Sequence, residues 1–292
     1  MDRIAPWRQT NWDRRAVGNF IGGGTGCGLA IFAAASELAT GARQGPAYGL
    51  AALLIVTGLG FVWLEIGRPW RFLHVFFNPK TSWMTREALV APPLLVALAA
   101  AAWHGGAVLA VIAAFSALTF MYCQARILRA ATGIPAWREP LIVPLIVATG
   151  LAEGAGAFAA PAILSHAAAP GSLALVLALA SIVARWLAWT VYCRRLARRG
   201  APTETLKALQ AIDGWILALG TVAPLVLLGA ALGLADFGGP LALVGGVLTV
   251  AGGWLIKDTI GTRAAFNQGF ALRHLPRLNV AASDSGTRPG WS

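Results

Sequence analysis

Eight apolar stretches, each near the length that crosses a bilayer, leave this chain few other ways to fold. A helix rises 1.5 Å per residue, so a span of the hydrocarbon layer takes about 20 apolar residues. Stretches that meet this need run approximately over residues 17–39, 47–66, 87–103, 106–128, 141–160, 172–194, 212–234 and 239–260. Pro144, Glu153 and Pro161 interrupt the fifth. Such breaks are tolerated where neighbouring helices satisfy the freed backbone groups. Charged residues make up only 12% of the chain against 57% hydrophobic. A soluble domain carries roughly 25% charged residues, so a water-facing shell cannot be built. The expected fold is an all-α integral membrane protein of eight transmembrane helices. Residues 1–260 form a single membrane domain with a polar N-terminal segment over 1–16, and residues 261–292 form a polar tail. The opening residues lack the apolar core of a cleavable signal peptide, so the first span is expected to stay in the mature protein.

Lys and Arg number 23 against 12 Asp and Glu. In a soluble chain that excess would suggest nucleic acid. Here the charges cluster between apolar runs and alternate in side. Arg3, Arg8, Arg14 and Arg15 precede the first span, and Arg68, Arg71, Lys80 and Arg86 follow the second. Arg126, Arg129 and Arg138 follow the fourth, and Arg194, Arg195, Arg198, Arg199 and Lys207 follow the sixth. Lys257, Arg263, Arg273, Arg277 and Arg288 are assigned to the tail, while the opposite loops hold only Arg43. The bias places both termini in the cytoplasm of a cell whose inner membrane the chain crosses. The basic side also carries Trp70, Trp83 and Trp137. It is the expected docking face for a protein partner, through Arg71, Lys80, Arg86, Arg126, Trp137 and Arg138.

Haem ligation would need histidines facing each other within spans. His74, His104, His166 and His274 all fall in loops or the tail, so no haem is expected. Cys27, Cys123 and Cys193 are dispersed and form no CxxC pair. Neither a zinc site nor an iron–sulfur cluster is expected in this chain, and no metal site at all.

The most unusual stretch is WLEIGRPWRFLHVFFNPKTSWMTREAL, residues 63–89. Glu65 and Glu87 bracket it, with Arg68, Arg71, His74, Lys80 and Arg86 interleaved with Trp70, Phe72, Phe76, Phe77 and Trp83. The segment RFLHVFFN reads as a short interfacial helix with Phe72, Phe76 and Phe77 towards lipid. Quinol oxidation releases two protons, and a carboxylate at the membrane boundary can accept them. Burial raises a carboxyl pKa and a neighbouring Arg lowers it, so such a group can be tuned. Aromatic rings can pack on the quinone, and a His or Arg can donate to its carbonyl. The competing reading is a solvated loop whose Glu–Arg pairs anchor two helices.

Glu153 lies well inside the fifth span and Arg185 well inside the sixth. Intramembrane charges are costly and usually paired, so Glu153 and Arg185 are expected to meet, with Glu37 as the alternative partner. The pair is read either as structural or as part of a proton route. Gly22, Gly23, Gly24, Gly26 and Gly28 crowd the first span and predict close helix packing, a hinge being the other possibility.

LEIGRPWRFLHVFFNPKTSWMTREAL resembles the signature loop of the dimethyl sulfoxide reductase anchor subunit family (DmsC), related to the NrfD and polysulfide reductase membrane anchors. YCQARILRAATGIPAWREP, residues 122–140, is similar to that family's connection between the fourth and fifth helices. GTRAAFNQGFALRHLP, residues 261–276, looks like its C-terminal motif. The resemblance spans nearly the whole chain. It implies two four-helix bundles without haem. It also implies anchoring of an iron–sulfur subunit and a molybdopterin catalytic subunit, and electron exchange with ubiquinone or menaquinone. Molybdopterin and iron–sulfur clusters are expected only in those partners. The family's carboxylate at the start of the third helix matches Glu87. Where the family commonly has a histidine before its G.P element, this chain has Glu65. The implied quinone and proton-transfer set is Glu65, Arg68, His74, Trp83 and Glu87. With the signature loop on the cytoplasmic side, an intracellular substrate such as sulfite or an aryl-acetyl coenzyme A thioester is expected, with electrons running to quinone. A secondary transporter and an anchor without a quinone site are the alternatives.

Overall fold

The computed structural model describes residues 2–3, 5–65, 69–164, 171–234 and 237–271. Helix α1 (Arg14–Thr40) starts at Asp13, whose carboxylate accepts the Arg15 N–H at 2.7 Å. That bond supplies one of the acceptors a helix start lacks. α1 ends at Gly41 with φ 72°, a conformation open to glycine at little cost. After α2 (Gly45–Glu65) a 3₁₀ segment over Pro69–Phe77 leads to α3 (Trp83–His104). α4 (Ala107–Ala130) and the single turn α5 (Pro135–Arg138) follow. α6 (Ile142–Ala157) breaks at Phe158, three residues ahead of Pro161, and the short α7 (Ala159–Leu164) follows. α8 (Ser172–Arg198) is continuous. α9 (Thr203–Leu217) and α10 (Ala223–Gly233) join through a π-helical turn over Ala218–Val222. α11 (Gly238–Asp258) likewise runs on into a π turn over Thr259–Arg263.

Among the described residues eight helical units are long and apolar enough to cross a bilayer, so the chain is a multi-pass, all-α membrane protein. Seven start within a few residues of the expected positions. The seventh begins at Thr203 instead of residue 212, because the polar turns from Thr203 to Ala211 extend the helix beyond the apolar layer. His104 also differs: it is the last residue of α3, not a loop residue. His74 lies beyond the other end of that helix, so the two are separated by its full length.

The spans sort into two four-helix groups. α1, α2, α3 and α4 pack on one another, as do α6, α8, the α9–α10 unit and α11, with α1 against α6 as the main seam. This seam explains the glycines of α1. A Cβ on Gly22 or Gly26 would strike backbone of α2, and one on Gly28 would strike the Gly150 carbonyl of α6. Gly154 returns the approach by lying against Gly28. Close backbone contact through small residues is how helices associate where no hydrophobic effect drives them together.

With an even number of crossings, both described termini lie at one end of the bundle, here termed the terminal face. There the N-terminal segment is stitched to the C-terminal one. β1 (Asp2–Arg3) pairs antiparallel with β2 (Phe270–Ala271), and Gln9 N–H donates to the Ala265 carbonyl at 2.9 Å. The 3₁₀ segment presents Trp70, Leu73 and Phe77 outward, while Phe72 and Phe76 are half-buried. Of the three phenylalanines expected to face lipid, only Phe77 is exposed rather than half-buried.

Candidate functional site

Two buried polar clusters flank the first turns of α1. On one side Glu87, one turn into α3, is 6% exposed and accepts from Asn19 Nδ2 at 3.0 Å. Gln124 of α4, fully buried, donates from Nε2 to the Asn19 carbonyl at 3.0 Å. Gly23 makes this possible, since a side chain there would occupy the space of the Gln124 amide. Asn19 Oδ1 and Gln124 Oε1 receive no hydrogen bond from the described residues.

On the other side Lys257 Nζ meets Glu153 Oε2 at 2.6 Å and donates to the Phe20 carbonyl at 2.8 Å. The same carboxylate oxygen accepts from Thr25 Oγ1 at 2.8 Å, and Trp254 Nε1 donates to Thr25 Oγ1 at 3.0 Å. Both charged side chains are essentially inaccessible. Gly24 and Gly253 leave the room they need, because a Cβ on either would overlap Lys257 Nζ or Glu153 Oε1.

The expected pair of Glu153 with Arg185 is therefore corrected. Among the described residues no ion pair joins them, and Glu37 is not the alternative, since its carboxylate accepts the Gly106 N–H at 2.5 Å. Arg185 instead donates to the Thr249 carbonyl at 2.6 Å and to the Gly220 carbonyl. The reason is local. Pro224 has no N–H to offer the carbonyl four residues earlier, which is Gly220. In a dry interior that carbonyl needs another donor, and Arg185 supplies it at the π turn. Lys257, assigned to the tail from sequence, lies within α11 and takes the position beside Glu153.

Above this cluster the terminal face holds a cavity of about 650 Å³, lined by Trp7, Trp12, Trp137, Arg138 and Asn267 among others. Trp12 and Trp137 stack at 4.9 Å between centroids, and Trp137 Nε1 donates to the Ile260 carbonyl at 2.8 Å. Gln9 fixes Trp12 by accepting its N–H and donating to its carbonyl, both at 2.8 Å. A narrow gap lined by Trp12, Phe20, Ile260 and Lys257 lies next to the cavity. Arg138 is exposed at the rim.

The profile of the polysulphide reductase NrfD family matches residues 8–251, a range that includes the Glu87 cluster, Glu153 and most of the cavity wall. The chain belongs to the NrfD family. It is also similar to a sulfite dehydrogenase subunit of Allochromatium vinosum, with 31% identity over 160 residues. That alignment covers 46% of this chain and 49% of the relative, so the chain spans about half the length of the curated relative it matches. The family match and the eight candidate spans together make this a multi-pass membrane protein of the NrfD family.

In this NrfD-family protein the residues singled out by sequence do not form one constellation. Glu87 lies in the buried cluster, and Trp83 sits one turn before it. The Trp83 ring is held between the Arg86 and Arg126 guanidinium groups, at 4.1 and 4.2 Å. Arg86 also donates to the Pro79 and Lys80 carbonyls at 2.9 and 2.8 Å, fixing the turn before α3. Arg126 donates to Tyr122 at 2.6 Å. These two arginines are thus engaged within the chain. Glu65 lies beside the start of α1, where Arg15 donates to the Leu64 carbonyl at 3.1 Å. His74 is exposed and contacts Arg71 and Phe77. No described contact joins Glu65, His74 and Glu87, and Arg68 lies outside the described residues. Arg71, Lys80 and Arg138 are exposed, whereas Trp137 is 3% exposed and forms the cavity floor, so it offers no docking surface. Sequence reasoning misses Asn19, Thr25 and Gln124, although polar side chains within apolar stretches are a visible signal.

Proposed function

We propose that this subunit passes electrons and protons between an iron–sulfur partner and the quinone pool, with the quinone ring received in the Trp12–Trp137 cavity. The observation that carries the reading is the order of groups beneath the terminal face. An open cavity comes first, then an indole floor, a narrow gap, and the buried Lys257–Glu153 pair. The residues suit a quinone. Indoles offer a flat apolar face, and Arg138, Asn11 and Gln268 provide hydrogen-bond donors for ring carbonyls. Bound quinone would supply the two-electron acceptor. The chain's own groups hold and pass the protons.

Lys257 and Glu153 are the near proton carriers. Glu87 is the second, because beside it Asn19 Oδ1 and Gln124 Oε1 are buried acceptors with no donor among the described residues. A protonated Glu87 supplies such a donor, and unmade buried hydrogen bonds are costly. The basic charge of the terminal face supports a cytoplasmic position for this end in an inner membrane. Arg71, Lys80 and Arg138 there would meet an iron–sulfur subunit, which in turn joins a molybdopterin subunit. The sulfite dehydrogenase relative favours sulfite, or an intracellular substrate like it, as the electron source, with quinone reduced.

The test uses the assembled complex and a short-chain quinone. Trp12→Leu is expected to raise KM for quinone about tenfold, the size of a lost aromatic contact. Glu153→Gln should lower kcat with little change in KM. An unchanged KM for Trp12→Leu in a complex of normal composition removes the cavity as the ring's site.

A further inference from the structure

A second groove, of about 400 Å³, runs between the terminal-face halves of α8 and α9 and shares no residue with the Trp12 cavity. One bond sets its register: Trp189 Nε1 donates to Asp213 Oδ1 at 2.8 Å. Arg194 lies five residues further along α8, which is about 7.5 Å nearer the terminal face. Gln210 lies three residues earlier on α9, also towards that face, because the two helices run antiparallel. Trp186 and Leu217 line the opposite, deeper end. From the face inwards the wall thus offers a cation, a carboxamide beside Thr190, a carboxylate, and then an apolar strip.

The polar groups are available. On the same helix Arg195 and Arg199 are committed to Glu139 at 3.0 and 2.9 Å. Arg194 has no ion pair or hydrogen bond with the described residues, and Asp213 Oδ2 accepts none. The Thr190 hydroxyl already donates to the Trp186 carbonyl at 2.9 Å, so it can only accept. Leu217 is 45% exposed, so the deep end of the groove opens to the side, where lipid lies.

We infer that this groove is a second binding site, for the product quinol in exchange with the bilayer. Arg194 donates to the oxygen at one end of the ring, and Asp213 accepts the hydroxyl at the other. The ring packs along the half-buried Cys193 between them, and the apolar tail leaves past Trp186 and Leu217. A phospholipid fits less well. Its phosphate would suit Arg194, but its ester and acyl region would then lie against the Asp213 carboxylate, which has no use for an acceptor. The inference takes its ligand class from the quinone reading above, but not its location.

A photoreactive azidoquinol applied to the detergent-solubilised full complex, with peptide mapping, tests it. Label is expected within residues 186–217 and competed by unlabelled quinol. It should fall about tenfold or more in Arg194→Gln/Asp213→Asn, the loss expected for hydrogen bonds to charged groups, while label near Trp12 persists. Absence of label in 186–217 of the unmodified complex overturns the site, as does label indifferent to the double substitution. So does a phospholipid found tightly bound there and displaced by Arg194→Gln alone. Label in the groove with none near Trp12 would sustain this site and remove the cavity reading instead.

Discussion

Lys257 and Glu153 form an ion pair of 2.6 Å that neither water nor lipid reaches. The two residues come from opposite ends of the second bundle's sequence, and the contact exists because Gly24 and Gly253 leave it room. A buried pair of this kind adds little over a well-packed apolar pair, yet removing one partner strands the other.

Lys257→Met should therefore destabilise the subunit by roughly 3–5 kcal/mol, and Lys257→Met/Glu153→Leu by clearly less. Thermal melts of the purified protein in detergent measure both. Additive effects would show that the two side chains are not coupled. Gly24→Ala should cost less than Lys257→Met, because the added methyl group displaces only the end of a flexible side chain that keeps its charge.

Arg185 and Pro224 are linked through the Gly220 carbonyl. Arg185→Met leaves that carbonyl without its side-chain donor, at a cost of about 1–3 kcal/mol. Pro224→Ala restores a backbone N–H where an α-helical bond to Gly220 can form. The double variant is expected to recover much of the loss in the same melts. No recovery would mean that Arg185 serves something other than the π turn.

Glu87→Gln keeps an oxygen for Asn19 Nδ2 and so should assemble normally. As a proton carrier, Glu87 cannot be replaced by an amide, and quinone turnover should fall about 10²-fold, the usual scale for a lost acid–base group. Normal turnover in the assembled complex would reduce Glu87 to a structural residue.

Trp83 lies between Arg86 and Arg126, and each contact contributes about 0.5–1 kcal/mol at an exposed site. Trp83→Leu should loosen the turn before α3, which Arg86 holds through Pro79 and Lys80. Limited proteolysis reads this as faster cleavage between residues 70 and 82. Unchanged protection would show that the backbone bonds of Arg86 suffice.

Sidedness has its own test. A cysteine introduced at Thr40 should react only from the side opposite one introduced at Thr203, in a protein whose native cysteines are replaced. In inside-out vesicles the Thr203→Cys variant is the one expected to label.

Legibility differs between elements for physical reasons. The apolar stretches are readable because a bilayer demands about 20 apolar residues wherever it is crossed. The start of α9 is not, because its first turns are polar and owe nothing to that demand. Glu87 stands out as a carboxylate at a helix start. Its partners Asn19 and Gln124, from α1 and α4, follow from packing alone. Trp137 reads as a partner-docking residue because it lies in a basic loop, yet its stack on Trp12 puts it inside a cavity wall.

The sequence by itself determined eight membrane-crossing helices, the even count and the basic face, since each depends only on the solvent that a local segment meets. Tertiary structure decided which buried charge finds which partner. Glu153 pairs with Lys257, and Arg185 with two carbonyls, because glycines on α1 and α11 and a proline on α10 set the available space and the unmet backbone bond. Those choices depend on contacts between helices far apart in the chain, and no local pattern of residues encodes them.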